Sequence, residues 1–346
     1  MAQTNPTSRP VPFPFVIGSG RAGTTLLRAM LDSHPELAVP PENYLITELE
    51  PRRDTFEGAG GLAVDAFLDE LVSHQWFKRF ELTRRDVRGE LDAGDAAGFA
   101  DGIRALYRAY ARARGKPRYG DKTPVYVSSV DAIAALFEES RFVHLIRDGR
   151  DVACSFLAQE DMRPNGVVEA ALLWRERVEA GLEAGERLGP DRYVELRYEQ
   201  LVADPEPVLR RLCEFIDVAY DPAMLAYRSR ASDLTRHDGG PERHRGVFMP
   251  PTRDLRNWER ELDRAQVEAF ELAAGDLLDR LSYPRGVEVG EAIGGATSVL
   301  IGEVDRLRSE VEDVERALRR RVREIRAQLR AERIERRRER RGRPEG

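Results

Sequence analysis

Short apolar runs along the chain alternate with longer segments in which apolar residues recur at helical spacing. Three of these runs, residues 13–17 (FPFVI), 141–146 (RFVHLI) and 193–196 (YVEL), predict buried β-strands. A polar turn and a helical pattern follow each of them. Because strands that alternate with helices form parallel sheets, we predict an α/β fold with a P-loop-like central parallel sheet flanked by helices.

The segments that separate these strands have apolar residues at helical spacing and are predicted to be mainly helical. The predicted helices cover 24–33, parts of 62–114, 125–137, a segment from about Asp151, and 205–216. Residues 118–122 are expected to lead into the helix that follows them. Ligands of such sheets bind at the carboxyl ends of the strands, and polar clusters follow all three predicted strands there.

The pattern changes beyond residue 285. Residues 286–295 are rich in glycine, and apolar residues then recur at spacings of four and three: Leu300, Val304, Leu307, Val311, Val314 and Leu318, followed after a slip by Val322, Ile325 and Leu329. Such a seam predicts a long, coiled-coil-like helix that pairs with a second helix, as in a homodimer, and a lone solvated helix is the alternative. The predicted organisation is a lead-in at 1–12, a domain at 13–285, a linker at 286–298 and a helical extension at 299–346.

Composition and charge limit the classes of protein. With 41% hydrophobic residues the chain can bury a core, and no apolar run approaches the roughly 20 residues that span a bilayer. The first residues lack the features of a signal peptide, so a cytoplasmic location is predicted. The net charge of −6 hides a basic tail at 319–343, with 13 Arg and 4 Glu. Contact of this tail with nucleic acid or with the surface of an anionic membrane is a secondary prediction.

Cysteine and lysine are both scarce in this chain. Cys154 and Cys213 lie in apolar helical patterns without the spacing of a metal site, so buried free thiols are the better interpretation and no metal is expected. Lys78, Lys116 and Lys122 are the only lysines beside 52 arginines. A lysine inside a motif is therefore more informative here than in an average chain.

The stretch GSGRAGTTLL after the first predicted strand is similar to a nucleotide-binding loop without its lysine. Gly18, Gly20 and Gly23 let backbone amides approach an anion, and the next helix directs its positive end there. A Walker A loop has lysine directly after its second glycine, where this chain has Thr24. The missing lysine favours a ligand with less terminal charge, such as a sulfuryl group. A glycine-rich turn without a ligand is the alternative.

A second polar cluster, RDGRDVACS, follows the second predicted strand. Arg147 lies at the end of the strand and Ser155 on the first turns of the next helix, so both can face one site. A forked cationic donor and a short hydroxyl donor suit a phosphate group. An exposed turn with ordinary surface charge is the alternative interpretation of this cluster.

Taken together, PFVIGSGRAGTTLLRAMLDSHPELAVPPE and RFVHLIRDGRDVACSF resemble the paired signatures of sulfotransferases that use 3′-phosphoadenosine-5′-phosphosulfate (PAPS). The resemblance is strongest to the branch that contains the tyrosylprotein sulfotransferases and many bacterial relatives, and it covers about residues 13–285. It implies an enzyme that moves a sulfuryl group from PAPS onto a hydroxyl acceptor by in-line displacement. A glycan, a glycolipid, a peptide tyrosine and a small alcohol are all possible acceptors.

The resemblance also implies roles for individual residues. The 5′-phosphosulfate loop would comprise Gly20, Arg21, Ala22, Gly23, Thr24 and Thr25; the 3′-phosphate site Arg147 and Ser155; and a nucleotide contact Tyr198. Glu42 matches the catalytic base of that branch, and Lys122 matches its lysine at the transferred group. This chemistry is coherent, because a carboxylate can accept the proton of an attacking hydroxyl while Lys122 and Arg21 stabilise the leaving oxygen.

The sequence departs from that branch near its C-terminal end. Serine and lysine complete the donor site there before a tryptophan, whereas this chain has Asn257 before Trp258. Arg253 or Arg256 is expected to make the phosphate contact instead. The loop at 236–246, with two histidines, has no counterpart and is interpreted as a lid or an acceptor loop.

Two other classes of function stay open at this point. A P-loop kinase or other nucleotide triphosphatase is the first, although the missing Walker lysine counts against it. An assembly or anion-binding protein that acts through the basic C-terminal helix is the second. The acceptor and the oligomeric state are beyond what these patterns can predict.

Overall fold

The structure is a computed structural model that describes residues 10–94, 97–159, 163–237, 244–252 and 255–287, together with 299–300, 302–303 and 306. The glycine-rich linker from 288 and the basic tail at 319–343 lie outside the described residues, as do most positions of the heptad seam. The predicted long helix, the homodimer and the domain boundaries therefore stay predictions.

Four parallel strands form the central sheet. In chain order they are β1 (Phe13–Ile17), β2 (Asp121–Lys122), β3 (Ser140–Ile146) and β4 (Tyr193–Arg197). Their spatial order is β2-β1-β3-β4, so β1 lies in the interior of the sheet. The predicted α/β fold, with a parallel sheet flanked by helices, is confirmed.

Strand β2 is the one strand of this sheet that the sequence analysis missed. Its two residues pair with β1 in the register Phe15 with Asp121 and Val16 with Lys122. A strand of two charged residues has no apolar alternation to detect, and it forms because β1 offers it a partner. This pairing brings Lys122 to the sheet edge that the polar clusters share.

Helices cover both faces of the sheet. They are α1 (Thr24–Asp32), α2 (Leu45–Leu49), α3 (Val64–Ser73), α4 (Arg84–Asp92), α5 (Phe99–Ala113), α6 (Val130–Leu136), α7 (Gly149–Leu157), α8 (Val167–Leu188), α9 (Tyr198–Ala203), α10 (Pro205–Phe215), α11 (Ala231–Thr235), α12 (Arg245–Phe248), α13 (Trp258–Glu261) and α14 (Arg264–Arg280). The predicted helix at 125–137 begins as a 3₁₀ segment, Pro124–Ser129, before α6. Two small ladders, Leu37–Ala38 with Arg118–Tyr119 and Glu57–Gly58 with Gly61–Leu62, lie outside the central sheet.

Alternate strand residues divide the core into two layers. Phe13, Phe15 and Phe142 pack with α3, α5 and α6 on one face. Val16 and Val143 pack with α1, α9 and α10 on the other face. Because both faces are covered, the strands read as nearly continuous apolar runs, which is why the pattern predicted them well.

A buried arginine joins the turn after β3 to the C-terminal part of the domain. Arg150 is 0% exposed and donates to both Asp148 carboxylate oxygens, to Glu271 Oε1 at 2.7 Å and to the Pro284 carbonyl oxygen at 2.8 Å. Its guanidinium also lies over the Trp258 ring, 3.8 Å from the centroid. This network holds the turn that carries the second polar cluster.

Both cysteines are buried free thiols, as predicted. Burial raises the pKa of Cys154 to about 12 and that of Cys213 to about 11, so both thiols stay protonated near neutral pH. Within the described ranges, no helix combines the length and the apolar character that crossing a bilayer requires.

We expect Arg150→Met to lower the free energy of unfolding by about 3–5 kcal/mol, because Asp148 would be left buried without its cation and Glu271 would keep only Arg285, 4.0 Å away. Arg175→Met is the control, since Arg175 pairs with Asp276 at the surface and its loss should cost less than about 1 kcal/mol. Urea unfolding of both variants measures the difference. Equal losses of unfolding free energy in the two variants would show that the buried network of Arg150 does not stabilise the turn after β3.

Candidate active site

The loop that joins β1 to α1 has an unusual backbone. Gly20, Arg21 and Gly23 all lie in the left-handed region, with φ values of 82°, 54° and 92°. Gly23 caps α1 without a side chain, and the first-turn residues Thr24 and Thr25 line the cleft. Such a helix terminus attracts anions.

Tyr198 packs directly on this loop. A Cβ atom at Gly23 would come within 2.4 Å of the Tyr198 ring, so no other residue fits at Gly23 without displacing the tyrosine. The ring also contacts Arg147, whose guanidinium lies 4.3 Å from the ring centroid. Tyr198 therefore touches both the loop and the second polar cluster.

A hydrogen bond links the two predicted anion sites. Arg21 Nε donates to Ser155 Oγ at 3.0 Å, across 134 positions of sequence. Arg21 lies in the loop after β1, and Ser155 lies on α7 after β3. Since β1 and β3 are adjacent parallel strands, their carboxyl ends place both clusters at the same edge of the sheet.

Arg147 is buried at the base of the second cluster. Its Nη2 donates to Asp151 Oδ2 and to the Arg256 carbonyl oxygen, each at 3.2 Å. Its Nε is buried without a hydrogen-bond partner among the described residues. Buried donors are nearly always satisfied, so this nitrogen fits an anionic oxygen of a ligand. Burial raises the pKa of Asp151 to about 6.

Glu42 is held through both carboxylate oxygens. Its Oε2 lies 3.0 Å from Lys122 Nζ, and its Oε1 accepts a hydrogen bond from Tyr44 Oη at 2.9 Å. Arg79 donates to the Glu42 carbonyl oxygen at 2.7 Å. Burial, and next the Glu42 charge, raise the pKa of Tyr44 well above its ordinary value of 10.0, so its hydroxyl stays a donor. Glu42 is thus a fixed carboxylate beside a buried ammonium.

These groups line one cavity of about 350 Å³. Its lining includes all but two of the predicted site residues. The predicted residues in the lining are Gly20, Arg21, Gly23, Thr24, Thr25, Glu42, Arg147, Ser155, Tyr198 and Arg256. Ala22 is buried in the core between β3 and α7, and Lys122 contacts Glu42 from behind. Arg256 also pairs with Glu261 at 2.8 Å, and Arg253 lies outside the described residues.

Several lining residues were not predicted from the sequence. Tyr44, two positions after Glu42, could have been proposed from its closeness to a candidate base. Arg177 could not, because it lies in the middle of α8; it donates to the Ser19 carbonyl oxygen at 2.7 Å. Of the two histidines in the 236–246 loop, His244 lines the cavity, whereas His237 lies 2.9 Å from Glu81.

The cavity is strongly cationic in a chain whose net charge is −6. Its described lining contains one carboxylate, Glu42, and these arginines: Arg21, Arg147, Arg163, Arg177, Arg245 and Arg256. Clefts lined by one sign of charge concentrate oppositely charged ligands. Across the described part of the chain, no group of three or more His, Cys, Asp or Glu is placed to hold a metal ion.

Comparison with known proteins gives consistent findings. The profile of the sulfotransferase family matches residues 12–222. Protein-tyrosine sulfotransferase A of Caenorhabditis elegans is 27% identical over 222 residues, which cover 63% of this chain and 53% of that protein. Nodulation protein NoeE of Sinorhizobium fredii is 26% identical over 298 residues, 79% of this chain and 66% of that protein. The chain thus spans about half to two thirds of these relatives.

One solved structure is similar to most of this chain. The sulfotransferase domain from the Synechococcus PCC 7002 olefin synthase is 26% identical in sequence and superposes with a TM-score of 0.55. The similarity covers 82% of this chain and 99% of that domain.

We expect Asp151→Asn to gain stability relative to the wild type as the pH rises from about 4.5 to 7. The pKa of Asp151 is raised to about 6, so this carboxyl stabilises the folded state fully below about pH 4, and the contribution is lost as the pH rises through 6. Urea unfolding at several pH values measures the difference.

Asp276→Asn is the matched control for this experiment. Hydrogen bonding to Arg175 lowers the pKa of Asp276, so its contribution is lost only as the pH falls. This variant should show no gain over the same range. A constant difference between Asp151→Asn and the wild type would contradict the burial argument.

Proposed function

Since the chain belongs to the sulfotransferase family, we propose that it is an enzyme that transfers a sulfuryl group from PAPS to a hydroxyl acceptor. The observation that carries the proposal is the 3.0 Å hydrogen bond from Arg21 to Ser155. It joins an anion-binding loop and a second phosphate site in one cationic cavity that also contains a fixed carboxylate. A nucleotide with phosphate groups at two positions requires such a pair of sites.

The residues fit a doubly phosphorylated nucleotide. Thr24 and Thr25, at the N-terminus of α1, would hold the 5′ end with Arg21, because hydroxyls, helix amides and a guanidinium all donate to anions. Arg147 and Ser155 would hold the 3′-phosphate, which would satisfy the unpaired Nε of Arg147. PAPS supplies the sulfuryl group and leaves as adenosine 3′,5′-bisphosphate.

Glu42 is suited to accept the proton of the acceptor hydroxyl. It is partly exposed in the cavity, with 26% of its side chain accessible, whereas Lys122 behind it is fully buried. The Lys122 ammonium lies 3.0 Å from Glu42 Oε2 and holds the carboxylate in place. Lys122 and Arg21 would also stabilise negative charge that develops on the leaving oxygen.

The acceptor is proposed only as a hydroxyl compound. Protein-tyrosine sulfotransferase A is named for a protein tyrosine acceptor, which makes a phenolic hydroxyl one candidate acceptor. Incubation with radiolabelled PAPS and a panel of tyrosine peptides, glycans, glycolipids and small alcohols would identify the class. A cytoplasmic location, a homodimer formed through the C-terminal helix and anion contact by the basic tail are further parts of the proposal.

We expect Glu42→Gln to lower the rate of sulfuryl transfer by about 10²–10⁴-fold, as is usual when a general base is lost. Lys122→Ala should be similarly inactive. Binding of adenosine 3′,5′-bisphosphate, measured by calorimetry, should largely survive in both variants, because the loop after β1 and the cluster of Arg147 and Ser155 would supply most of the phosphate contacts.

Glu48→Gln is the matched control, since Glu48 contacts Trp76 outside the cavity lining. It should keep the wild-type rate. Full activity of Glu42→Gln would remove Glu42 from the role of base.

We also expect the wild type to bind adenosine 3′,5′-bisphosphate and Gly23→Ala to lose this affinity. The added methyl group would meet the Tyr198 ring and would strain a backbone with φ of 92°. Gly60→Ala is the control, because a Cβ there has no neighbour within 4 Å. Calorimetry of the three proteins measures the effect.

The same titration distinguishes the proposed sulfotransferase from a P-loop kinase. Binding of ATP with magnesium, but not of adenosine 3′,5′-bisphosphate, would overturn the proposed donor. Equal affinity in Gly23→Ala and the wild type would show that the loop does not hold the nucleotide.

A further inference from the structure

Glu42 and Lys122 each have a buried polar neighbour in sequence. Asn43 follows Glu42, and Asp121 precedes Lys122; they are 0% and 1% exposed. Asn43 Nδ2 donates to Asp121 Oδ2 at 3.0 Å. The two segments that carry the proposed catalytic pair are therefore also joined behind it, inside the core.

Two further side chains complete this contact. Tyr107 donates to Asp121 Oδ2 at 2.6 Å and accepts from Asn43 Nδ2 at 3.2 Å. Thr123 donates to the Asn43 carbonyl oxygen at 2.7 Å and accepts from the Asn43 N–H at 3.3 Å. We call these four residues the buried clamp.

The buried clamp has a higher free-energy cost than an apolar core contact of the same size would have. Burial raises the pKa of Asp121 to about 6, and its Oδ1 has no hydrogen-bond partner among the described residues. Apolar residues of similar volume would pack such a core at least as stably. A costly polar network is better explained where it fixes one arrangement of the chain.

The geometry shows what this arrangement is. Successive residues of a strand point to opposite faces, so Asp121 turns into the core while Lys122 turns toward Glu42. In the other segment, Asn43 lies in the core while Glu42 lies at the site. Each segment thus places one side chain in the clamp and an adjacent one at the site, so a shift of either segment would change the distance between Glu42 and Lys122.

We propose that Asn43, Asp121, Tyr107 and Thr123 are positioning residues that hold the Glu42 carboxylate in register with the Lys122 ammonium. This inference rests on the proposed function, because it assigns the clamp to the catalytic step and not to donor binding. The donor residues lie on other elements, the loop after β1 and helix α7.

Tyr107→Phe and Thr123→Val test the clamp, because each removes hydroxyl hydrogen bonds and little volume. Both variants should lower kcat for sulfuryl transfer by about ten- to a hundredfold, the usual effect of misplacing a catalytic group by about an ångström. The KM for PAPS and the affinity for adenosine 3′,5′-bisphosphate should stay within about twofold of the wild type.

Tyr193→Phe is the matched control. It removes another buried tyrosine hydroxyl, one that lies 2.7 Å from His144 Nδ1 where β3 pairs with β4. A comparable loss of thermal stability with unchanged kcat is expected from this variant. The kcat effect is then specific to the clamp, whereas a general loosening of the core would lower kcat in both tyrosine variants.

The outcomes separate the two levels of the proposal. A wild-type protein that binds the nucleotide but transfers no sulfuryl group would contradict the proposed function itself. An active wild type in which Tyr107→Phe and Thr123→Val keep full kcat would overturn the clamp alone. The clamp would also be overturned if the loss appeared in the KM for PAPS and not in kcat, or if Tyr193→Phe lost kcat equally.

Discussion

The left-handed backbone between β1 and α1 is the constraint around which the cavity is organised. Three of four consecutive residues from Gly20 to Gly23 have positive φ, which turns the chain sharply enough for Arg21 to reach Ser155. The same turn leaves the N-terminus of α1 without a side-chain cap. Glycine adopts positive φ without strain at two of these positions. Arg21 has a side chain, so its positive φ is strained, and this conformation lets its guanidinium reach Ser155.

A cationic cavity in an acidic chain requires stabilisation from behind. Arg147 is held by Asp151, and Arg150, three residues along, is neutralised by Asp148 and Glu271. These carboxylates lie outside the cavity lining, so they reduce repulsion among the arginines without competing at its surface. Burial raises the pKa of Asp151, so keeping its carboxylate charged beside Arg147 has an energetic cost.

The sequence predicted those parts of the fold and site that rest on local patterns. Strands β1 and β3 are buried and mostly apolar, and β4 keeps Tyr193 and Leu196 buried. The two motifs after β1 and β3 are short and contiguous, and the family they indicated is confirmed. Strand β2 has two charged residues and forms only by pairing. Arg177 reaches the cavity, and Tyr107 the buried clamp behind it, from long helices whose rotation no local signal sets. The roles of the individual residues stay predictions.

This contrast also divides the cavity by how it is built. The proposed donor half consists of strand ends, a glycine loop and a helix terminus, which regular backbone geometry positions. The half that carries Glu42 consists of an irregular segment and a two-residue strand, which regular structure alone cannot hold in place. Buried hydrogen bonds through Asn43 and Asp121 supply the missing rigidity. An acceptor pocket can therefore vary in its loops while the carboxylate and the ammonium keep their geometry, because their support comes from the core and not from the pocket wall.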